Sequence, residues 1–263
     1  MEIQIKKAIK AGNSSAVILP RSWLNKEVRV ELLKKTPEII LSDIIRIVKS
    51  YIELKDVIGI YLTGSYAREE EDENSDIDIL IVTKNIDKEI IYEGIYNVLI
   101  ISSELIAQKL EKDLFPIGQM LKEAKPILNA DYLNSIKVKI TEKNTEWYIR
   151  TTEDKLNIIK KALDLADKKN KKDIDDIIAY TLVLRIRTFY IIKKLMKNEE
   201  YSKKEFINMI RNLSKGTEAY ERYLAVKNNS QGKKGINILE AERLYNYLKS
   251  ELSKVKNSLK NLR

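Results

Sequence analysis

The sequence predicts an α+β fold with three parts: a small N-terminal β-hairpin domain, an α/β core with a mixed sheet, and a C-terminal antiparallel helical bundle. Three observations support this. Short alternating segments occupy the N-terminal region, and longer apolar runs of strand composition fill the middle. From residue 145 onward, apolar residues recur at helical spacing. We expect domains over residues 1–36, 37–140 and 141–263.

The composition excludes several classes of chemistry. The 263 residues include neither Cys nor His, which removes disulfides, thiolate or imidazole metal sites and histidine bases. No apolar run approaches the length of a membrane span, and Met1–Lys10 is charged throughout, unlike a signal peptide. We therefore expect a cytoplasmic protein with no membrane partner. The abundance of Lys, Glu and Ile is typical of thermophilic proteins.

The net charge of +9 is unevenly distributed. Residues 1–36 carry +5, residues 37–140 carry −7, and residues 141–263 carry +11. Basic flanks favour polyanion partners, while an acidic middle is compatible with metal binding. The alternative is that the charge serves only solubility at high temperature.

Three short alternating segments make up the N-terminal unit. Strands are predicted over Ile3–Ile5, Ala16–Pro20 and Val28–Leu32, and Gly12-Asn13 is a hairpin-turn signal. A unit this short cannot bury enough apolar surface alone. We therefore expect it either to form a homodimer or to pack against the next domain.

The core begins at Thr36-Pro37, because proline interrupts regular structure. A helix is predicted over Ile39–Leu54, followed by a strand at Val57–Leu62 and a turn at Gly64-Ser65. A second strand is predicted over Asp76–Val82.

Two aspartates begin that second strand. Side chains alternate along a strand, so Asp76 and Asp78 are predicted to share one face, with Cα atoms roughly 6.6 Å apart. Like charges this close are costly unless a cation lies between them. Oxygen ligands favour Mg²⁺ or Mn²⁺.

The segments Gly64–Arg68 and Ser75–Leu80 resemble the signature of DNA polymerase β-type nucleotidyltransferases. Their ten-residue gap is similar to that of the minimal nucleotidyltransferases that act as antitoxins in HEPN/MNT modules. The resemblance implies that Gly64, Ser65 and Arg68 bind an NTP, with ATP as the expected one. It also implies that Asp76 and Asp78 are catalytic and ligate Mg²⁺ in a two-metal mechanism.

The chain departs from that family pattern at two places. An acidic run, Glu69–Glu73, follows Arg68, and it is interpreted as a solvated loop or helix face. The third carboxylate of the family aligns with Asn97 on the strand Tyr96–Ile101. An amide can ligate a metal but cannot act as a general base. Glu93 and Glu104 flank the strand and are the alternative carboxylates.

A further glutamate, Glu123, resembles a recurrent helix-end Glu of this family. The alternative interpretation is an ordinary residue on a helix surface.

The segment Lys10–Leu24 resembles the AbrB/SpoVT swapped-hairpin DNA-binding domains, through its Gly-Asn-Ser turn and Ile-Leu-Pro step. The resemblance implies a homodimer that contacts DNA phosphates. The candidate DNA-binding residues are Lys6, Lys7, Lys10 and Arg21. The alternative is a β-extension of the core domain.

Arg185 interrupts an apolar stripe in the helix predicted over Ile174–Met196. A buried arginine needs a partner, either a bundle carboxylate or a nucleotide phosphate. The bundle resembles helical partners of other nucleotidyltransferases in architecture only.

These observations predict a metal-dependent nucleotidyltransferase that transfers NMP from an NTP to an acceptor hydroxyl. The acceptor is left open between a protein, an RNA end and a small molecule, and an antitoxin-like enzyme fits the motif spacing. The alternative is a DNA-binding regulator whose nucleotidyltransferase domain only senses nucleotide, in keeping with Asn97. A scaffold without chemistry would leave both aspartates unexplained.

Overall fold

A computed structural model describes residues 4–6, 8–31, 36–72, 75–229 and 235–261. The chain divides into two compact units. The first consists of the described residues within Met1–Ala107 and Glu123–Lys137, and the second of those within Gln108–Lys122 and Val138–Arg263. The combination of a mixed sheet with a helical C-terminal part confirms the predicted α+β class. The three-domain division stays a prediction.

The first unit is built around a mixed sheet. Among the described residues, five strands lie in the order β5-β6-β4-β3-β7, with β4 and β6 parallel and the other neighbours antiparallel. The strands are β3 Val57–Thr63, β4 Ile77–Thr83, β5 Ile91–Glu93, β6 Tyr96–Ser102 and β7 Lys125–Leu128. The helices near this sheet in sequence are α1 Pro37–Tyr51, α2 Gly64–Ala67, α3 Ser103–Lys112, α4 Ile117–Glu123 and α5 Ala130–Ser135.

Helix α1 covers one face of the sheet. Its buried stripe, which includes Ile44 and Val48, packs with the inward-facing residues of the central strands. These strand residues alternate along the chain and are Ile77, Ile79, Ile81, Tyr96, Val98 and Ile100. Asp78 and Asn97 fall between them and therefore lie on the opposite face.

The N-terminal segment only partly follows its prediction. The Gly12-Asn13 turn is confirmed, with Gly12 at φ +59°, and it joins β1 Ile9–Ala11 to β2 Ser14–Ala16. The predicted strand at Ala16–Pro20 is wrong, since β2 ends at Ala16. Of the strand predicted over Val28–Leu32, residues 28–31 have no regular structure and Leu32 lies outside the described residues. Ile5 is buried against the core of the first unit, which favours the alternative of packing on the next domain.

The second unit is helical, as the periodicity predicts. Its apolar core joins buried residues of five helices, among them Leu163, Leu182, Phe206, Tyr223 and Leu248. These helices are α6 Glu142–Lys168, α7 Asp176–Met196, α8 Lys203–Ser214, α9 Glu218–Lys227 and α10 Ile238–Lys260. A small antiparallel ribbon, β8 Asp173–Ile174 with β9 Ile236–Asn237, was not predicted. None of the described helices combines the length and apolar character required to cross a membrane.

Candidate active site

Strand pairing brings the turn at Gly64 to the aspartate-bearing start of β4. Thr63, the last residue of β3, is the register partner of Asp78, and its hydroxyl donates to the Asp78 carbonyl over 3.2 Å. Gly64 follows directly and begins α2. Asp76 is exposed and precedes β4 by one residue, while Asp78 is half-buried. The shared face of the two carboxylates stays a prediction, because regular pairing begins only at Ile77.

Only glycine fits at position 64. Its φ of +69° lies in the left-handed region, which most side chains avoid. A Cβ at this position would lie 2.1 Å from Oδ2 of Asp78 and 2.9 Å from its Cγ. The Asp78 carboxylate therefore packs directly against the Gly64 backbone.

Asn97, the residue that aligns with the third carboxylate of the family, lies beside Asp78. The two residues are register partners in the parallel pair of β4 and β6. The Asn97 Nδ2 donates to Oδ1 of Asp78 over 3.0 Å. One carboxylate oxygen is thus held by an amide while the other lies against Gly64. An aspartate in place of Asn97 would instead bring a second negative charge to this point.

The structure does not bring the two alternative carboxylates to this point. Glu104 lies in the first turn of α3, beyond the far end of β6, about 20 Å along the chain from Asn97. Glu93 is the partner of Tyr96, whose ring is buried on the α1 side of the sheet. Neither residue lies beside Asp78, and the identity of a third carboxylate stays a prediction.

One residue on the Asp78 face was missed by sequence reasoning. Tyr92 is the register partner of Asn97, so its side chain shares that face, and it is 74% exposed. The three-residue strand β5 carries too little pattern for its register to be predicted from the sequence.

Glu123 is buried rather than a surface residue, which settles the alternative left open by the sequence. Its Oε1 accepts from the Gly64 amide over 2.9 Å, and its Oε2 accepts from Nη1 of Arg68 over 2.5 Å. Its side chain is only 4% exposed. A carboxylate so deeply buried needs partners of this kind.

Arg68 is engaged by protein carboxylates. Besides Glu123, its Nε donates to Oε2 of Glu70 over 3.0 Å, and its side chain is only 10% exposed. Burial lowers the pKa of the Arg68 guanidinium, but the ion pairs with Glu123 and Glu70 outweigh it and raise the pKa above its ordinary value. Arg68 therefore stays charged. Its role as an NTP ligand stays a prediction.

The acidic run after Arg68 is only partly solvated. Glu69 and Asp72 are exposed, as expected, but Glu70 is half-buried because it pairs with Arg68. The Glu70 amide also donates to the Ser65 carbonyl over 3.0 Å, which ties the run to the turn. Glu73 lies outside the described residues.

The start of β4 offers two carboxylates, those of Asp76 and Asp78, as possible ligands of a magnesium ion. Within the described part of the chain, no group of three or more acidic side chains is placed to hold a metal. Asp76 and Asp78 supply two carboxylates, and Mg²⁺ is commonly held by one or two carboxylates together with substrate phosphates and water. This donor chemistry suits one such ion, and a magnesium site at Asp76 and Asp78 stays a prediction.

A model of the nucleotidyltransferase domain family matches residues 41–207, well over half of the chain. The chain belongs to this family. The match includes the Gly64 turn, Asp76, Asp78 and Asn97.

Two solved structures are similar to this nucleotidyltransferase. A nucleotidyltransferase-like protein from Exiguobacterium sibiricum 255-15 is 12% identical, with 82% of this chain and 75% of that chain covered and a TM-score of 0.37. The spectinomycin adenyltransferase AAD(9) from Enterococcus faecialis, solved with ATP and spectinomycin, is 15% identical, with coverage of 81% and 98% and a TM-score of 0.40. No curated protein matches the chain.

In the helical unit of this nucleotidyltransferase, Arg185 has no carboxylate partner among the described residues, and its pairing with a nucleotide phosphate stays a prediction. Its Nη1 donates to Oγ1 of Thr151 over 3.0 Å, and its guanidinium lies over the Trp147 ring at 5.6 Å. Among the described residues these are a hydroxyl and an indole rather than a carboxylate. Burial lowers the pKa of Arg185.

Of the candidate DNA-binding residues, Lys6, Lys10 and Arg21 are exposed. Lys7 lies outside the described residues.

We predict that Gly64→Ala lowers the free energy of unfolding more than Gly12→Ala does. Both positions have positive φ and share a strain of roughly 1–2 kcal/mol, but nothing lies within 4 Å of a Cβ at Gly12. At Gly64 the displaced Asp78 carboxylate should add about 1–3 kcal/mol. Urea unfolding of the two variants measures the difference.

The same comparison in an Asp78→Ala background is the control. With the carboxylate gone, the cost of Gly64→Ala should fall toward that of Gly12→Ala. Equal costs of the two glycine substitutions in the unmodified background would contradict the close packing.

Proposed function

We propose that the protein is a metal-dependent nucleotidyltransferase that transfers NMP from an NTP, ATP being the first to test, to an acceptor hydroxyl. The supporting observation is the convergence of Gly64, Asp78 and Asn97 at one edge of the sheet in a chain of this family. The acceptor is a protein side chain, an RNA end or a small molecule, and an antitoxin-like role remains part of the proposal.

Each residue of the site has a proposed task. Asp76 and Asp78 hold Mg²⁺, which supplies neutralisation of phosphate charge when it is bound. The turn at Gly64 and Ser65 receives the β- and γ-phosphates. The acceptor oxygen bonds to the α-phosphorus, the bond from that phosphorus to the bridging oxygen breaks, and pyrophosphate leaves with its electron pair.

Position 97 carries an amide, so no carboxylate at that position can take the proton of the acceptor hydroxyl. Asn97 cannot accept a proton as a base, and Glu93 and Glu104 lie elsewhere. We propose that the proton passes to solvent. Slow transfer is the expected consequence of the missing base.

Asp78→Ala should reduce Mg²⁺-dependent nucleotidyl transfer by about three orders of magnitude, because it removes both a metal ligand and the partner of Asn97. Transfer is measured with labelled NTP and candidate acceptors, and helix content by circular dichroism, which should not change. Asp131→Ala, which removes an exposed carboxylate in α5, is the control. Undiminished transfer in Asp78→Ala would rule out this mechanism.

A second candidate function is favoured by one specific observation. Asn97 donates a hydrogen bond to Asp78. Two carboxylates at these positions would repel each other without a cation, but the pair of amide and carboxylate needs none. A nucleotide-sensing domain that binds NTP with little turnover would tolerate this arrangement. The enzyme and the sensor are distinguished by whether a carboxylate introduced at position 97 raises the rate of nucleotidyl transfer.

We predict that Asn97→Asp raises the transfer rate, since the new carboxylate can take the acceptor proton or tighten metal binding. Without Mg²⁺, the same substitution should lower the melting temperature, because two carboxylates then face each other, and Mg²⁺ should restore it. Asn97→Ala, which adds no charge, is the control. Unchanged transfer in Asn97→Asp with a large loss in Glu93→Ala or Glu104→Ala would refute the assignment of position 97.

We propose separately that the residues of the N-terminal segment after Ile5, which itself packs on the core of the first unit, pair with a second copy and bind DNA. The exposed large apolar side chains of this segment are Ile9, Ile18, Leu24, Val28 and Val30, alongside exposed basic residues. Such side chains in an extended segment are suited to pairing with a second copy.

Replacing Lys6, Lys10 and Arg21 together by Ala should weaken duplex DNA binding. It should also reduce the salt dependence of affinity by roughly 0.9 in logarithmic slope for each phosphate that the protein no longer neutralises. Replacing the exposed Lys168, Lys169 and Lys171 of the helical unit is the matched control. If only the control weakens binding, then the bundle and not the N-terminal segment contacts DNA.

A further inference from the structure

The backbone of the Gly64 turn is bonded to the buried carboxylate of Glu123. Glu123 accepts from the Gly64 amide over 2.9 Å through one oxygen and from Arg68 over 2.5 Å through the other. The amide and the guanidinium are thus bonded to the same side chain, which is only 4% exposed.

The opposite side of Gly64 carries the Asp78 carboxylate. A single methyl group would not fit between the Gly64 Cα and Oδ2 of Asp78. A displacement of the Gly64 backbone must therefore displace that carboxylate or open a gap beside it. Glu123, Gly64 and Asp78 form one contiguous series of contacts, in which Gly64 lies between the two carboxylates.

We propose that Glu123 is a positioning residue: it fixes the Gly64 turn and, through that turn, the placement of the Asp78 carboxylate. Its kinetic consequences rest on the proposed transferase function, while the hydrogen bond itself does not. Misplacement of a reacting group by about 1 Å can cost roughly 10²-fold in rate.

The opposing interpretation is that Glu123 occupies the place of a substrate phosphate. Its carboxylate binds two groups, Gly64 and Arg68, that the motif assigns to NTP. In that case NTP would have to displace Glu123, so weakening its bonds would tighten NTP binding. The positioning role requires instead that NTP affinity stay nearly constant while turnover falls.

Glu123→Gln separates the two interpretations. A carboxylate offers a separate acceptor oxygen to each of Gly64 and Arg68, whereas an amide has one acceptor atom and one donor group, so glutamine in the same place turns its N–H group toward one of these two donors. Glu70→Gln is the matched control, because it removes the same charge from another partner of Arg68 and leaves the Gly64 amide bonded to Glu123.

Two measurements test the proposal. Hydrogen–deuterium exchange at the Gly64 amide should be slow in the unmodified protein and in Glu70→Gln, and at least about tenfold faster in Glu123→Gln. The kcat for nucleotidyl transfer should fall about 10–100-fold in Glu123→Gln, with the NTP Kd changed less than about threefold and Glu70→Gln close to the unmodified protein.

Fast exchange of the Gly64 amide in the unmodified protein overturns the proposal without any variant, even if Glu123→Gln fails to fold. Tighter NTP binding in Glu123→Gln also overturns it and supports the phosphate-mimic interpretation. If the unmodified protein transfers no nucleotide, the proposed function fails, and the exchange of the Gly64 amide alone decides whether Glu123 fixes the turn.

Discussion

The site depends on how the Asp78 carboxylate is held. One of its oxygens accepts from the Asn97 amide, and the other lies against the Gly64 backbone, where no side chain would fit. Three adjacent strands supply these groups, because Thr63, Asp78 and Asn97 stand in one row of the sheet. The apolar packing of α1 on the other face fixes the register, and a slip of one residue would turn the carboxylate into the core.

A buried charge network supports this row. Glu70, Arg68 and Glu123 are linked in series, with two carboxylates sharing one guanidinium that is only 10% exposed. Removing Arg68 would leave its two carboxylates without a cation, which typically costs about 3–5 kcal/mol, whereas removing Glu70 leaves Arg68 paired with Glu123. The network therefore constrains the turn strongly, although its net contribution to stability can be small.

The substitution of an amide for a carboxylate at position 97 shapes the expected chemistry. Asn97 donates a hydrogen bond to the Asp78 carboxylate and adds no charge beside it. A carboxylate at position 97 would instead repel Asp78 unless a cation lay between them. In the proposed site, position 97 therefore offers no carboxylate that could take the acceptor proton. Slow transfer and nucleotide sensing are the two functions that we propose on this ground.

The sequence alone determined the α+β class and the strands around Gly64 and Asp78, because alternation and turn chemistry are local properties. The register that pairs Asp78 with Asn97 came from the tertiary structure. Only the tertiary structure decided that Glu123 is buried beneath Gly64, that Glu70 pairs with Arg68, and that Tyr92 shares the Asp78 face. It also showed that Glu93 and Glu104 lie away from Asp78 and that β2 ends at Ala16. These features depend on register and on contacts between residues distant in sequence, which local periodicity does not encode.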